Sequence, residues 1–167
     1  MLLQGYKDED KVMKLTEEVF KCKTLKSTKE EDMSQHIDFW VFANGKKYGI
    51  DVKGLHKNKR SDKNFDDSIQ WIELQNVQGK RGWVYGDAVY IAFVTNKSVL
   101  YVPTKNLIAF SEEKTRNKPI NHRIPQECYS LYQRQGRKDI IFKALTDDLR
   151  KIARHEIAFD REGTSSQ

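Results

Sequence analysis

The chain of 167 residues carries 30 Lys and Arg against 24 Asp and Glu, a net charge of +6 with no apolar run near the roughly 18 residues of a membrane span. Its length suits one domain with a real core, and its 38% hydrophobic and 32% charged content suits a soluble globular protein. Two cysteines, Cys22 and Cys128, make no disulfide framework and have no zinc-ligand spacing, which suits a reducing cytoplasm, while residues 1–6 are too short and uncharged for a secretory signal.

Residues 7–23 predict an amphipathic helix, with Val12, Leu15 and Val19 in one stripe and Met13, Thr16 and Phe20 on its flank. Glu9 projects with Val12, Thr16 and Phe20; it either curls out to solvent from the first turn or heads into the apolar face. Residues 26–35 are polar and aperiodic, a loop. From His36 to Lys53, two runs rich in aromatic and β-branched residues flank Asn44-Gly45, the signature of a hairpin closed by a type I′ turn. Residues 54–68 form a basic loop with Lys57, Lys59, Arg60 and Lys63, read either as phosphate contacts or as a solvated surface.

Residues 69–76 alternate as a strand, with Trp71, Glu73 and Gln75 on one face and Ile72 and Leu74 on the other. The glycine-punctuated connection at 79–86 carries Lys80 and Arg81, which we read as nucleic-acid backbone contacts, and it lacks the Gly-Lys-Ser/Thr of a P-loop. Residues 88–95 predict a strand buried on both faces, and 99–102 a returning one. A short helix at 104–110, a loop at 111–126, an ambiguous stretch at 128–133 and a helix over 139–155 complete the chain. Residues 160–167 read as a disordered tail after a single domain over 1–159. Helix, hairpin, further strands and closing helix amount to a small α/β domain around a mixed sheet.

The chemistry concentrates in the hairpin. Counting outward from Asn44-Gly45 places Asp38 opposite Asp51, with Lys53 on the face of Asp51 and His36 opposite Lys53. Facing residues have Cβ atoms roughly 4.5–5.5 Å apart, so the two carboxylates repel unless a cation lies between them. Carboxylates of this kind suit Mg²⁺, and a neighbouring lysine can orient a water or offset charge on a phosphate. The bland alternative is an exposed Asp–Lys pair on an ordinary hairpin. No Ser/His/Asp order or reactive-cysteine context appears.

Asp38, then Asp51-Val52-Lys53, resembles the PD-(D/E)xK nuclease superfamily, with Ile37 where proline often stands. The run Asp38-Phe39, Asn44-Gly45, Asp51-Val52-Lys53-Gly54 is similar within it to phage endonucleases of the Holliday-junction type. The match spans roughly residues 8–54. It implies a restriction-endonuclease-like mixed β-sheet flanked by helices, Mg²⁺ (or Mn²⁺) bound by Asp38, Asp51 and Glu9, and Lys53 assisting the attacking water. It also implies a glutamine or acidic side chain from the following strand, Gln75 or Glu73. DNA is the implied partner, the host cytoplasm the implied location, and symmetric junction cleavage would require a homodimer. Two rivals share the scaffold: a non-catalytic nucleic-acid-binding module, and a phage accessory protein-interaction domain.

Overall fold

The structure, a computed structural model, describes residues 2–55 and 66–159, with side chains from residue 8 onward. Lys57, Lys59 and Arg60 of the basic loop, and the tail from residue 160, lie outside the described residues. A long helix α1 (Leu2–Phe20) leads into strand β1 (Lys23–Lys26), helix α2 (Lys29–Gln35), and the hairpin β2 (Phe39–Ala43) and β3 (Lys46–Lys53). Then come β4 (Ile69–Gln75), a 3-10 turn at Trp83–Tyr85, β5 (Tyr90–Val94), β6 (Ser98–Pro103) and α3 (Thr104–Thr115). Short strands β7 (Ile120–Asn121) and β8 (Leu131–Tyr132), β9 (Ile140–Leu145), α4 (Thr146–Ile152) and β10 (His155–Ala158) finish the chain.

The strands form two sheets, in the orders β1-β2-β3-β5-β6-β10 and β4-β9-β8-β7. In the larger sheet β3 and β5 run parallel and the other neighbours antiparallel, a mixed sheet as expected. Period-two alternation along β5 explains the layering. Ile91 and Phe93 face the core between the sheets, while Ala92 and Val94 face α1, so this strand is buried on both faces. The inter-sheet core adds Ile72, Phe142 and Leu107; the other layer packs Val12 and Leu15 of α1 onto Phe39, Ile50 and Val52. Each large side chain so buried contributes roughly 1.5–3 kcal/mol.

The hairpin follows the counted register. Ala43 pairs with Lys46 and Phe39 with Ile50, and Asn44 and Gly45 take φ of 53° and 73°, the left-handed pair a type I′ turn requires.

Four expectations change. Residues 26–35 are not loop: Lys26 closes β1, and Thr28 and Glu31 form a capping box that opens α2. Residues 139–155 are not one helix, because Leu145 is exposed and the buried positions run Phe142, Ala144, Thr146, the period of a strand paired with β4. The helix at 104–110 continues through Thr115, taking the first part of the expected loop at 111–126, which also holds β7. Val19 and Phe20 lie partly exposed at the end of α1, although the Phe20 ring still packs edge-on against Tyr101 of β6 and His155 of β10.

Candidate active site

Asp38 stands just before the ladder of β2 and β3 begins, at a bend rather than within the strand. Its N–H donates to the Ile50 carbonyl at 2.8 Å, and its carboxylate Oδ2 accepts from the Val52 N–H at 2.6 Å. The side chain thus takes the place a backbone carbonyl would occupy and is locked against β3. The bend also separates neighbours that strict alternation would put together, since Ile37 enters the core between the sheets and Phe39 the core under α1.

Asp51 is buried in the middle of the larger sheet, beside Ile91 of the parallel neighbour β5. Its Oδ1 accepts from Lys53 Nζ at 3.0 Å, while its Oδ2 is buried with no donor. Burial, opposed by Lys53, raises its titration. Burial and the Asp51 charge push Asp38 from 3.8 up to about 7. Protonation of one carboxylate relieves the repulsion between the two and is favoured by their burial. The pair therefore holds a proton near neutral pH that a cation between the carboxylates would replace.

Glu9 turns toward the pair. Burial first, then the Asp38 charge, lifts its carboxyl from 4.5 to about 7, against the pull of Lys26. Its neighbour Asp8 is buried and accepts from the Leu55 N–H at 3.1 Å, tying the start of α1 to the chain just beyond Lys53. A Cβ at Gly54 would sit 2.5 Å from Asp8 Oδ2, so a side chain there would push the carboxylate off the Leu55 N–H.

Lys53 rests over the Trp83 ring, Nζ 4.3 Å from its centroid. The Trp83 N–H in turn donates to Glu73 Oε1 at 3.2 Å, and its ring packs edge-on against Phe93, the β5 residue paired with Lys53. From the sequence, Trp83 reads only as an aromatic that could stack on an unpaired base or fill a core. Its role here comes from β4 and β5 meeting across the sheets, a contact that local pattern does not encode.

Of the expected site residues, Asp38, Asp51 and Lys53 come together, with Glu9 near Asp38. Among the described residues no group of three or more His, Cys, Asp or Glu side chains is placed to hold a metal ion. Glu9 lies near enough to feel the Asp38 charge, and Asp38 that of Asp51. The donor set still fits Mg²⁺, which is commonly held by one or two carboxylates together with waters and substrate phosphate, and Asp51 offers a buried oxygen with no other partner.

Gln75 is not brought to the acidic pair. The following strand β4 belongs to the second sheet, β5 takes the place beside β3, and the Gln75 amide donates to the Lys138 carbonyl at 2.6 Å. Irregular pairing with β9 between Glu73 and Gln75 also interrupts their common face. Glu73 reaches the site indirectly, through Trp83. His36 does not pair with Lys53 in the ladder; it closes α2 in the left-handed conformation, φ 55°. It stays close, since burial first and then the Lys53 charge lower its titration. Lys80 and Arg81 are exposed on the turn after β4, where Arg81 lies 5.1 Å from the Tyr85 ring centroid.

No helix among the described residues is long and apolar enough to cross a membrane. Comparison with protein-family models, with curated proteins and with solved structures returns no match to this chain.

Proposed function

We propose that this protein is a metal-dependent endonuclease that hydrolyses phosphodiester bonds in DNA. The observation that carries the reading is Asp51: a buried carboxylate with one oxygen on Lys53, the other unpartnered, and a second carboxylate beside it. Such an arrangement is costly to a fold and suits a divalent cation. The sheet order β1-β2-β3-β5, with β5 parallel to β3 and α1 across one face, supports the restriction-endonuclease-like architecture. The net charge of +6 suits a polyanionic substrate.

Asp38 and Asp51 would hold Mg²⁺ or Mn²⁺, with Glu9 beside Asp38 as the third carboxylate. When bound, the ion would lower the pKa of a coordinated water and offset charge on the phosphate. Asp38, aligned by the Val52 N–H, would hold the ion as a carboxylate, its proton released to solvent. Lys53, fixed between Asp51 Oδ1 and the Trp83 face, orients the attacking water or neutralises a phosphate oxygen.

Incubation with plasmid and four-way-junction DNA in Mg²⁺ or Mn²⁺ tests the reading. Wild type should cut, and Asp51→Asn should lose at least about 100-fold in kcat. Equal behaviour of the two proteins would sink the proposal.

A further inference from the structure

Beside the acidic group lies a second, polar cleft of about 370 Å³, between the C-terminus of α2 and residues 76–87. Its lining includes His36, Asn76, Gln78, Lys80, Arg81 and Tyr85, and among the described residues Asp87 is its single carboxylate. His36 joins the cleft to the site, since it lines the cleft and stands two residues before Asp38. The 3-10 turn makes a second join: Trp83 supports Lys53 from one end, and Tyr85 carries Arg81 at the other.

The walls are built rather than incidental. The Asn76 side-chain oxygen accepts from the N–H groups of Gln78 and Lys80, both at 3.0 Å, which shapes the turn and leaves its amide donors available. The Asp87 N–H donates to the Gln35 carbonyl at 2.9 Å, and a Cβ at Gly86 would come within 2.8 Å of His36 Cβ. The turn and the end of α2 are therefore pressed together around an opening lined by two cations and by the side chains of Asn76 and Gln78. This donor-rich lining fits a phosphate and the acceptor edges of a base. The volume falls at the small end of ligand pockets, roughly 300–1,000 Å³, the size of one nucleotide rather than a duplex.

We infer that this cleft is a nucleotide subsite for the DNA strand being cut, in which Lys80 and Arg81 hold the phosphate that flanks the cleaved one. The inference rests on the endonuclease reading for its position along the strand and adds to it the path the strand takes, from Lys53 past His36 and Trp83. The phosphate contact is electrostatic and should appear in the salt dependence of binding.

Fluorescence anisotropy with a labelled junction DNA, in Ca²⁺ to withhold cleavage, compares wild type with the Lys80→Ala/Arg81→Ala double variant across a salt series. The variant should bind about 10- to 100-fold more weakly and lower the slope of log K against log salt by about 1–2. Single methylphosphonates walked along the strand should reveal one position, next to the cut, whose neutralisation weakens wild type but not the variant. If the variant keeps wild-type affinity and slope, the subsite is overturned, whether or not wild type cleaves. If the variant loses affinity as expected but wild type cuts no DNA with Mg²⁺ or Mn²⁺, the endonuclease reading fails and the cleft stands as a nucleotide site.

Discussion

At Asp38 the fold spends stability on charge. A native titration near 7 against 3.8 unfolded corresponds to on the order of 4 kcal/mol at about 1.36 kcal/mol per unit. Between those values the native state binds more protons than the unfolded chain, so stability falls as pH rises, beginning above about 4 and complete above about 7. Asn keeps an oxygen for the Val52 N–H but carries no charge. Asp38→Asn should therefore raise stability by roughly 1–3 kcal/mol at pH 8, leave it unchanged near pH 4, and abolish cleavage. Urea titrations at the two pH values check the first two. Trp83 gives a second test, because a cation over an aromatic face is worth about 0.5–2 kcal/mol, or roughly 3- to 30-fold in rate. Trp83→Leu should lower kcat by that factor and shift the pH–rate profile, whereas Trp83→Phe should keep most of the rate. An unchanged kcat and profile in the Leu variant would remove Trp83 from the site.

Two of the elements that hold these residues are sharply testable. Helix α2 has seven residues, too short to persist alone, and depends on its cap. Thr28 accepts from the Glu31 N–H, and Glu31 accepts from both the Thr28 N–H and the Trp40 indole. Thr28→Ala should cost about 1 kcal/mol, read by chemical denaturation. It should also weaken DNA binding if the end of α2 walls the nucleotide cleft. The 3-10 turn is bracketed by Gly82 and Gly86, neither at positive φ. Their value is space: a Cβ at Gly82 would collide with the Glu73 and Leu74 backbone of β4. Gly82→Ala should displace Trp83 and cost roughly 1–3 kcal/mol.

For the molecule as a whole, the buried carboxylates Asp38 and Asp51, with Glu9 near Asp38, make stability depend jointly on pH and divalent ions. Without a divalent ion, stability should decline from pH 4.5 to 7.5 as Asp38 and Glu9, both raised to about 7, are forced to ionise. Millimolar Mg²⁺ should restore it at pH 7.5, by about 2.7 kcal/mol at 100 times Kd, and do little at pH 4.5, where protons hold the site. Differential scanning calorimetry over the pH and Mg²⁺ grid checks this. A Tm insensitive to Mg²⁺ at every pH would count against a metal held here.

What was legible in the sequence was local in origin. Asn44-Gly45 set the hairpin and its register because only residues tolerant of positive φ make that turn, and the alternation around it put Asp51 and Lys53 on one face. The continuous apolar run at β5 likewise announced a strand covered on both sides. Where two periods were both satisfied, as in 139–155, the sequence could not choose, and pairing with β4 decided for a strand. Sheet order was equally out of reach: that β5 rather than β4 lies beside β3 moved Gln75 away and placed Trp83 under Lys53. Turns and periodicity act between near neighbours and are written in adjacent residues. The burial that leaves Asp51 Oδ2 without a donor depends on layers brought together from distant parts of the chain, and only the tertiary structure decides it.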